Sequence, residues 1–272
     1  MDLESTASTS MKPPILFLHG VFGTPSLLEP WTRALEAAGY VVHAPALPGR
    51  EPTDDAVLAR TGLEDCFAVA LDAYDRIGEP AIVIGHSMGG LLTQKIAAAR
   101  KPRAAVLLAS VPPGILWTQL RSVPHLFPIM PRILAGQAFL PSARTMREIP
   151  LNTLPIAERE ALIPRLVRDS GRVFREMSMG AAVTKVKASD VTCPVLCVSA
   201  GSDRNVASWI SRRIARRYGA EHQVHPDKSH WIIAESALDD VAPPVLEWLG
   251  RTVLSIRAPS GTACRSRVEP VR

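Results

Sequence analysis

The run at residues 81–85 is apolar at every position, and the residues just beyond it turn into a helical period. A strand with no polar face cannot meet water on either side, so it belongs inside a parallel sheet covered by helices. Residues 104–109 and 195–199 read the same way, and residues 15–19, rich in β-formers, follow Pro13-Pro14. Residues 40–46 and 222–225 add two strands. Helical periods stand at 27–38, 63–77, 91–100 and 207–218, with Leu63, Phe67, Ala70, Leu71 and Tyr74 on one stripe. A last helix is expected at 245–249, after Pro243-Pro244. This alternation predicts an α/β protein with a doubly wound, mostly parallel sheet.

One segment breaks the rhythm. Residues 112–188 hold no convincing strand but five helical pieces, at 116–123, 131–139, 142–148, 155–169 and 173–179. An insert of about 75 residues between two strands far exceeds an ordinary connection, so it reads as a helical cap over a site. The expected layout is a loose extension at 1–12, a core made of 13–111 and 189–250, the cap at 112–188, and a disordered tail at 251–272. Met11 could serve as an alternative start.

The chain carries 31 Lys+Arg against 26 Asp+Glu, a net +5 that invites an acidic partner. The distribution argues otherwise. Residues 1–111 are net −3 and 189–250 net −2, while the excess sits in 112–188 (+6) and 251–272 (+4). The tail arginines Arg251, Arg257, Arg265, Arg267 and Arg272 are spaced out and lack aromatics, whereas a nucleic-acid surface wants both stacking and phosphate contacts. No nucleic-acid partner is expected. No apolar stretch approaches the roughly 18 residues of a membrane span, and the start lacks the basic and apolar regions of a signal peptide. No stable membrane insertion is expected, and the location reads as cytoplasmic. Cys193 and Cys197 flank an extended segment and lie roughly 13 Å apart, too far for a disulfide. No His or Cys pair stands at a spacing that completes a zinc site. Together with Cys66 and Cys264 they read as buried, reduced thiols. Neither a metal nor a cofactor is expected.

The chemistry concentrates in Gly85-His86-Ser87-Met88-Gly89-Gly90, which follows a buried strand and opens a helix. A G-x-S-x-G string in that setting makes a sharp turn that exposes the serine hydroxyl at its tip, while the glycines leave room for close backbone approach. The helix N-terminus points free N–H groups at developing negative charge. Serine is a weak nucleophile until a base, itself held by a carboxylate, takes its proton. In sites of this kind the chain order is Ser, then Asp or Glu, then His. Asp203, in the loop after the strand at 195–199, fits the acid, with Asp190 and Asp227 as weaker rivals. Asp203 could also simply cap the following helix. His230, in the loop after the last strand, fits the base better than His222 or His225, which alternate along the strand itself. His19-Gly20-Val21-Phe22-Gly23 ends the first strand and supplies a loop for a second oxyanion donor. The Met88 N–H is the first donor, and the second is Val21, with Phe22 as its rival. His19 reads as a brace for that loop.

In these motifs the chain resembles the α/β-hydrolases across about residues 13–250. They are His19-Gly20 after the first strand, the Gly85–Gly89 turn, Asp203 and His230. The insert at 112–188 lies where that family carries its lid. The segment Ala44-Pro45-Ala46-Leu47-Pro48-Gly49-Arg50 is similar to the family's Asp-x-Pro-Gly-x-Gly loop, with Ala46 in place of the Asp and the final Gly missing. Few residues precede the first strand, so the two leading antiparallel strands common in the family are expected to be absent. Ser87 argues against the epoxide hydrolases and haloalkane dehalogenases of this fold, which use Asp at the turn.

The reaction implied is acyl transfer to water: a capped, esterase- or lipase-like serine hydrolase acting on a small, largely apolar carboxylic ester or thioester. Phe22, Trp117, Leu120, Phe127, Met130, Met146, Met177 and Trp231 are the candidate pocket residues, with Leu134 and Phe139 beside them. Carbon–carbon bond cleavage, lactone or amide hydrolysis would use the same triad. A hydrolase-fold ligand receptor is the non-enzymatic alternative.

Overall fold

The structure is a computed structural model that describes residues 12–255. All of the expected extension but Lys12, and most of the expected tail, with Met11 and Cys264, lie outside the described residues. In chain order the elements begin β1 (Ile15–Leu18), α1 (Glu29–Ala37), β2 (Val42–His43), α2 (Asp55–Arg60), α3 (Leu63–Arg76), β3 (Ile82–His86), α4 (Met88–Arg100) and β4 (Ala104–Leu108). The insert follows, with α5 (Val123–Leu126), α6 (Met130–Leu134), β5 (Ala138–Phe139), α7 (Ala143–Glu148), α8 (Ile156–Leu162), β6 (Asp169–Ser170) and α9 (Gly171–Met179). The chain closes with β7 (Val195–Ala200), α10 (Ser208–Tyr218), β8 (Glu221–His225) and α11 (Glu235–Ser255).

Six strands form one sheet in the order β2-β1-β3-β4-β7-β8, and every pairing is parallel. The strand residues alternate between two cores, as a pleated sheet buried on both faces requires. Phe17, Ile84, Val106 and Val198 meet Trp31 of α1 and Val241, Val245 and Trp248 of α11. Leu18, Val83, Leu107 and Cys197 meet Leu63 and Cys66 of α3, Leu91 and Ile96 of α4, and Ile210 and Ile214 of α10. The chain runs outward from β1 to β2, then crosses back over β1 to β3. The strand order reverses there, and the carboxyl ends of β1 and β3 open the crevice where such sheets bind ligands.

Several elements depart from expectation for visible reasons. The insert does contain strand: β5 and β6 pair antiparallel. The helix expected at 131–139 stops at Leu134, because Gly136 takes a left-handed turn (φ +69°) into β5. The helix expected at 155–169 ends at Leu162, and a short 3-10 turn around Pro164 leads on to β6. The helix expected at 116–123 begins only at Leu120, as a 3-10 turn leading into α5. α2 was not expected; Asp54 caps it by accepting from the N–H groups of Ala56 and Val57. α11 runs straight through Pro243 and Pro244. The carbonyls of Asp239 and Asp240 lose their usual donors there, but both residues are exposed and water can serve them. α11 also reaches Ser255, five residues into the stretch expected to be loose.

Candidate active site

Because every strand of the main sheet points the same way, the loops after β1, β3, β7 and β8 gather at one edge. The sharpest is the turn at Ser87, which sits at φ +55°, ψ −117°, a conformation few side-chain-bearing residues adopt. Backbone bonds fix it from both sides: the Ser87 N–H donates to the Leu108 carbonyl at 2.9 Å, and the Val111 N–H donates to the Ser87 carbonyl at 3.0 Å. The glycines are needed for space. A Cβ on Gly85 would run into the Gly89 carbonyl, and one on Gly89 into the Leu18 carbonyl.

The loops bring three distant side chains into line. Ser87 Oγ lies 3.0 Å from His230 Nε2, and His230 Nδ1 lies 2.7 Å from Asp203 Oδ2. All three residues are buried. A carboxylate only accepts, so Nδ1 carries the proton and donates to Asp203, leaving Nε2 to accept from the Ser87 hydroxyl. Asp203 is also a local cap: its Oδ1 accepts from the N–H groups of Asn205 at 2.6 Å and Val206 at 2.8 Å. One oxygen of Asp203 thus caps the following turn while the other faces His230. Asp190 bonds Ser189 and Lys187 instead, and the carboxylate on His230 is that of Asp203. His222 bonds Ser199 at 2.8 Å, on the far side of β7 from this chemistry.

Two further histidines frame the site. His86 lies against His230 and Trp231, and its Nε2–H donates to the His230 carbonyl at 2.9 Å, which holds the backbone of that residue. Burial, then the neighbouring His230, pushes the His86 pKa down to about 3. His19 braces the loop after β1: its Nδ1–H donates to the Gly20 carbonyl at 2.9 Å, and its Nε2 accepts the Leu47 N–H at 3.3 Å. Burial and the nearby Arg50 charge lower its pKa to about 4.

The two backbone donors expected to meet an oxyanion are distinguished by their partners. Among the described residues, the N–H groups of Val21 and of Met88, the first residue of α4, have no partner. The Phe22 N–H, the rival donor, is spent: it donates to Asp169 Oδ2 at 2.9 Å. Phe22 is thereby removed as an oxyanion candidate, although its ring does line the cleft. Asp169 is held in turn by Arg50, whose Nε and Nη2 reach its two oxygens at 2.9 and 2.6 Å. Both side chains are almost fully buried, at 0% and 1% exposure. Burial opposes the Arg50 charge, but Asp169 and Cys66 outweigh it and raise its pKa. The Val167 N–H donates to the Phe22 carbonyl at 3.1 Å, so residues 167–169 grip both peptides of Phe22 (φ +61°). Sequence reasoning missed this pair, because 119 residues separate its members and neither stands in a local motif.

Above Ser87 lies a cleft of about 940 Å³, part of it open to solvent. Of the expected wall residues, Phe22, Met146, Met177 and Trp231 line it. Trp117, Leu120, Phe127 and Met130 do not, and neither do Leu134 and Phe139. The reason is geometric. Along residues 120–134 the cleft side is taken by Ser122, His125, Leu126 and Ile129, which turns Leu120, Phe127 and Leu134 outward. Phe139 is buried instead between the rings of Phe22 and Phe174.

The model of the alpha/beta hydrolase family matches residues 15–243, which include every residue of this site. The chain belongs to the alpha/beta hydrolase family. It is similar to the magnesium-chelatase 30 kDa subunit of Rhodobacter capsulatus, at 24% identity over 250 residues and 87% of each chain. It is also similar to a pyrethroid hydrolase of Sphingobium wenxiniae, at 34% identity over 76 residues. That match spans only 28% of this chain and 27% of the relative. Among solved structures, a methylesterase, MES16, from Arabidopsis shares the fold with a TM-score of 0.66 at 16% identity, covering 90% of this chain and 100% of that one. Among the described residues of this family member, no helix is long and apolar enough to cross a membrane.

Proposed function

We propose that this protein is a serine hydrolase that cleaves a carboxylic ester or thioester of a small, largely apolar substrate through an acyl-enzyme. The observation that carries the reading is the unbroken line from Ser87 Oγ through His230 to Asp203 at the foot of an apolar cleft. As Oγ attacks the carbonyl carbon, His230 Nε2 takes its proton. Asp203 holds the imidazole in the right tautomer and stabilises the imidazolium. The oxyanion settles on the N–H groups of Val21 and Met88, each worth about 3 kcal/mol of barrier by analogy with other oxyanion holes. The imidazolium then protonates the departing alcohol or thiol. Water, activated by the same histidine, releases the acyl group and restores Ser87. No step calls for a metal or a cofactor.

Residues 112–188 act in this reading as a cap whose inner face selects the substrate. Met146, Met177, Phe174 and Ile129 offer a wall that accepts a flexible apolar group. The described cysteines are unpaired, and burial raises Cys66 and Cys193 to about 11 and Cys197 to about 12, which suits inert thiols in a reducing cytoplasm. The names of its relatives, a methylesterase and a pyrethroid hydrolase, agree with hydrolysis. A panel of p-nitrophenyl ester, thioester, lactone and amide substrates tests the reading on wild type and Ser87→Ala. Ester or thioester turnover that vanishes in Ser87→Ala is expected. Turnover by the variant, or a single turnover per wild-type molecule as in a receptor, would contradict it.

A further inference from the structure

Four of the residues that do not line the cleft, Trp117, Leu120, Phe127 and Leu134, belong to a surface of their own. Residues 120–134 run as one continuous helical stretch of alternating 3-10 and α turns. Its outward side carries Leu120, Val123, Pro124, Phe127, Pro131 and Leu134, all exposed. Leu120 is 89% exposed and Phe127 73%, and Trp117, just before the stretch, is 60% exposed. The spacing of three, four and seven residues places these groups on a single stripe. Its inward side, as described above, walls the cleft. The stretch thus carries large apolar side chains on both faces, and those on the outward face are uncovered. A run of large apolar side chains exposed together marks a contact surface.

Charge identifies what would cover it. No Asp or Glu occurs anywhere from residue 81 to residue 147. Arg121 and Arg132 flank the stripe, and neither has a carboxylate partner among the described residues. Aromatic and leucine side chains edged by arginine match the headgroup boundary of an anionic bilayer. Residues 256–272 are a poor occupant, since their four arginines against one glutamate repel this face. We infer that the outward face of residues 117–134 docks on an anionic lipid surface, and that the ester reaches Ser87 from the leaflet. Contact is peripheral: the stripe lies in the interface while the sheet stays in water. One helical layer then separates lipid from the cleft, which favours lipid-soluble esters over water-soluble ones. The docking stands on exposure and charge alone, whereas the leaflet substrate rests on the hydrolase reading.

Flotation of the full chain with vesicles tests it. The protein should float with phosphatidylglycerol–phosphatidylcholine vesicles and much less with phosphatidylcholine alone. Leu120→Gln with Phe127→Gln should abolish flotation while turnover of a water-soluble short ester stays as in wild type. Arg121→Gln and Arg132→Gln should each weaken binding to anionic vesicles about fivefold. Ser87→Ala should float like wild type, so a failure of the hydrolase reading would show in turnover and leave flotation intact. The inference is overturned if the wild type stays unbound at low salt or if Leu120→Gln with Phe127→Gln floats unchanged. It is equally overturned if sedimentation shows a dimer that those substitutions dissolve, since the occupant is then a second copy of the chain.

Discussion

Ser87 is held in a backbone conformation that costs on the order of 1–3 kcal/mol for a residue with a Cβ. The bonds to Leu108 and from Val111 offset this, and the strain keeps Oγ at the tip of the turn. Two substitutions separate strain from chemistry. Ser87→Ala and Ser87→Gly both remove the hydroxyl, but only glycine relieves the positive φ. Ser87→Gly should therefore be the more stable of the two by about 1 kcal/mol, read as a higher thermal midpoint. A lower midpoint for the glycine variant would show that the turn is not strained. His19 and His86 carry a pH dependence. Folded, they titrate at about 4 and about 3; unfolded, they return to the ordinary 6.5. The unfolded chain thus binds more protons between those limits, so stability is complete above 6.5 and is lost as pH falls towards 4. Each histidine contributes up to about 1.4 kcal/mol per pH unit in that window. The urea midpoint should drop between pH 7 and pH 5, and an equal midpoint would show the imidazoles accept protons while folded.

Among the elements, the insert does more than roof the cleft. Gln119 Nε2 donates to the Asp203 carbonyl at 2.8 Å, and Ser122 Oγ donates to the Arg204 carbonyl at 2.7 Å. The Trp231 N–H donates to the Pro150 carbonyl at 3.2 Å, and residues 167–169 grip Phe22. The insert thereby touches the loops that carry Asp203, His230 and Val21. The Arg50–Asp169 pair is the anchor of the last. Asp169→Leu alone strands a buried guanidinium and should cost about 3–5 kcal/mol of stability. Adding Arg50→Met removes that charge and should restore much of the loss. The double variant still lacks an acceptor for the Phe22 N–H, so kcat should stay low while KM changes little. Full recovery of kcat along with stability would show that the pair only fills space. None of this was legible from local pattern. The G-x-S-x-G turn was, because strand, turn and helix are contiguous. Asp203 and His230 followed from chain order. Arg50 and Asp169 meet only after the sheet has placed β1 beside the insert. Residues 120–134 misled for a different reason: a stretch with large apolar side chains on both faces has no period that says which side turns inward.

Across the whole molecule, the doubly wound sheet was readable because its central strands are apolar at nearly every position. One edge was not: the stretch expected as a strand at 40–46 keeps only Val42–His43, whereas the other edge, expected at 222–225, is Glu221–His225. The net charge of +5 also changes meaning at this scale. The sheet-forming pieces at 1–111 and 189–250 are mildly acidic, and the excess belongs to the insert at 112–188 and the stretch at 251–272. The proposed chemistry converges on one hydroxyl, and intact mass followed by peptide mapping tests it. The protein is mixed with a p-nitrophenyl ester and quenched within the first turnovers. One acyl group per chain is expected, located on Ser87, that disappears as acid is released and never forms in Ser87→Ala. Ester turnover with no adduct on Ser87, or with an adduct on another residue, would contradict it.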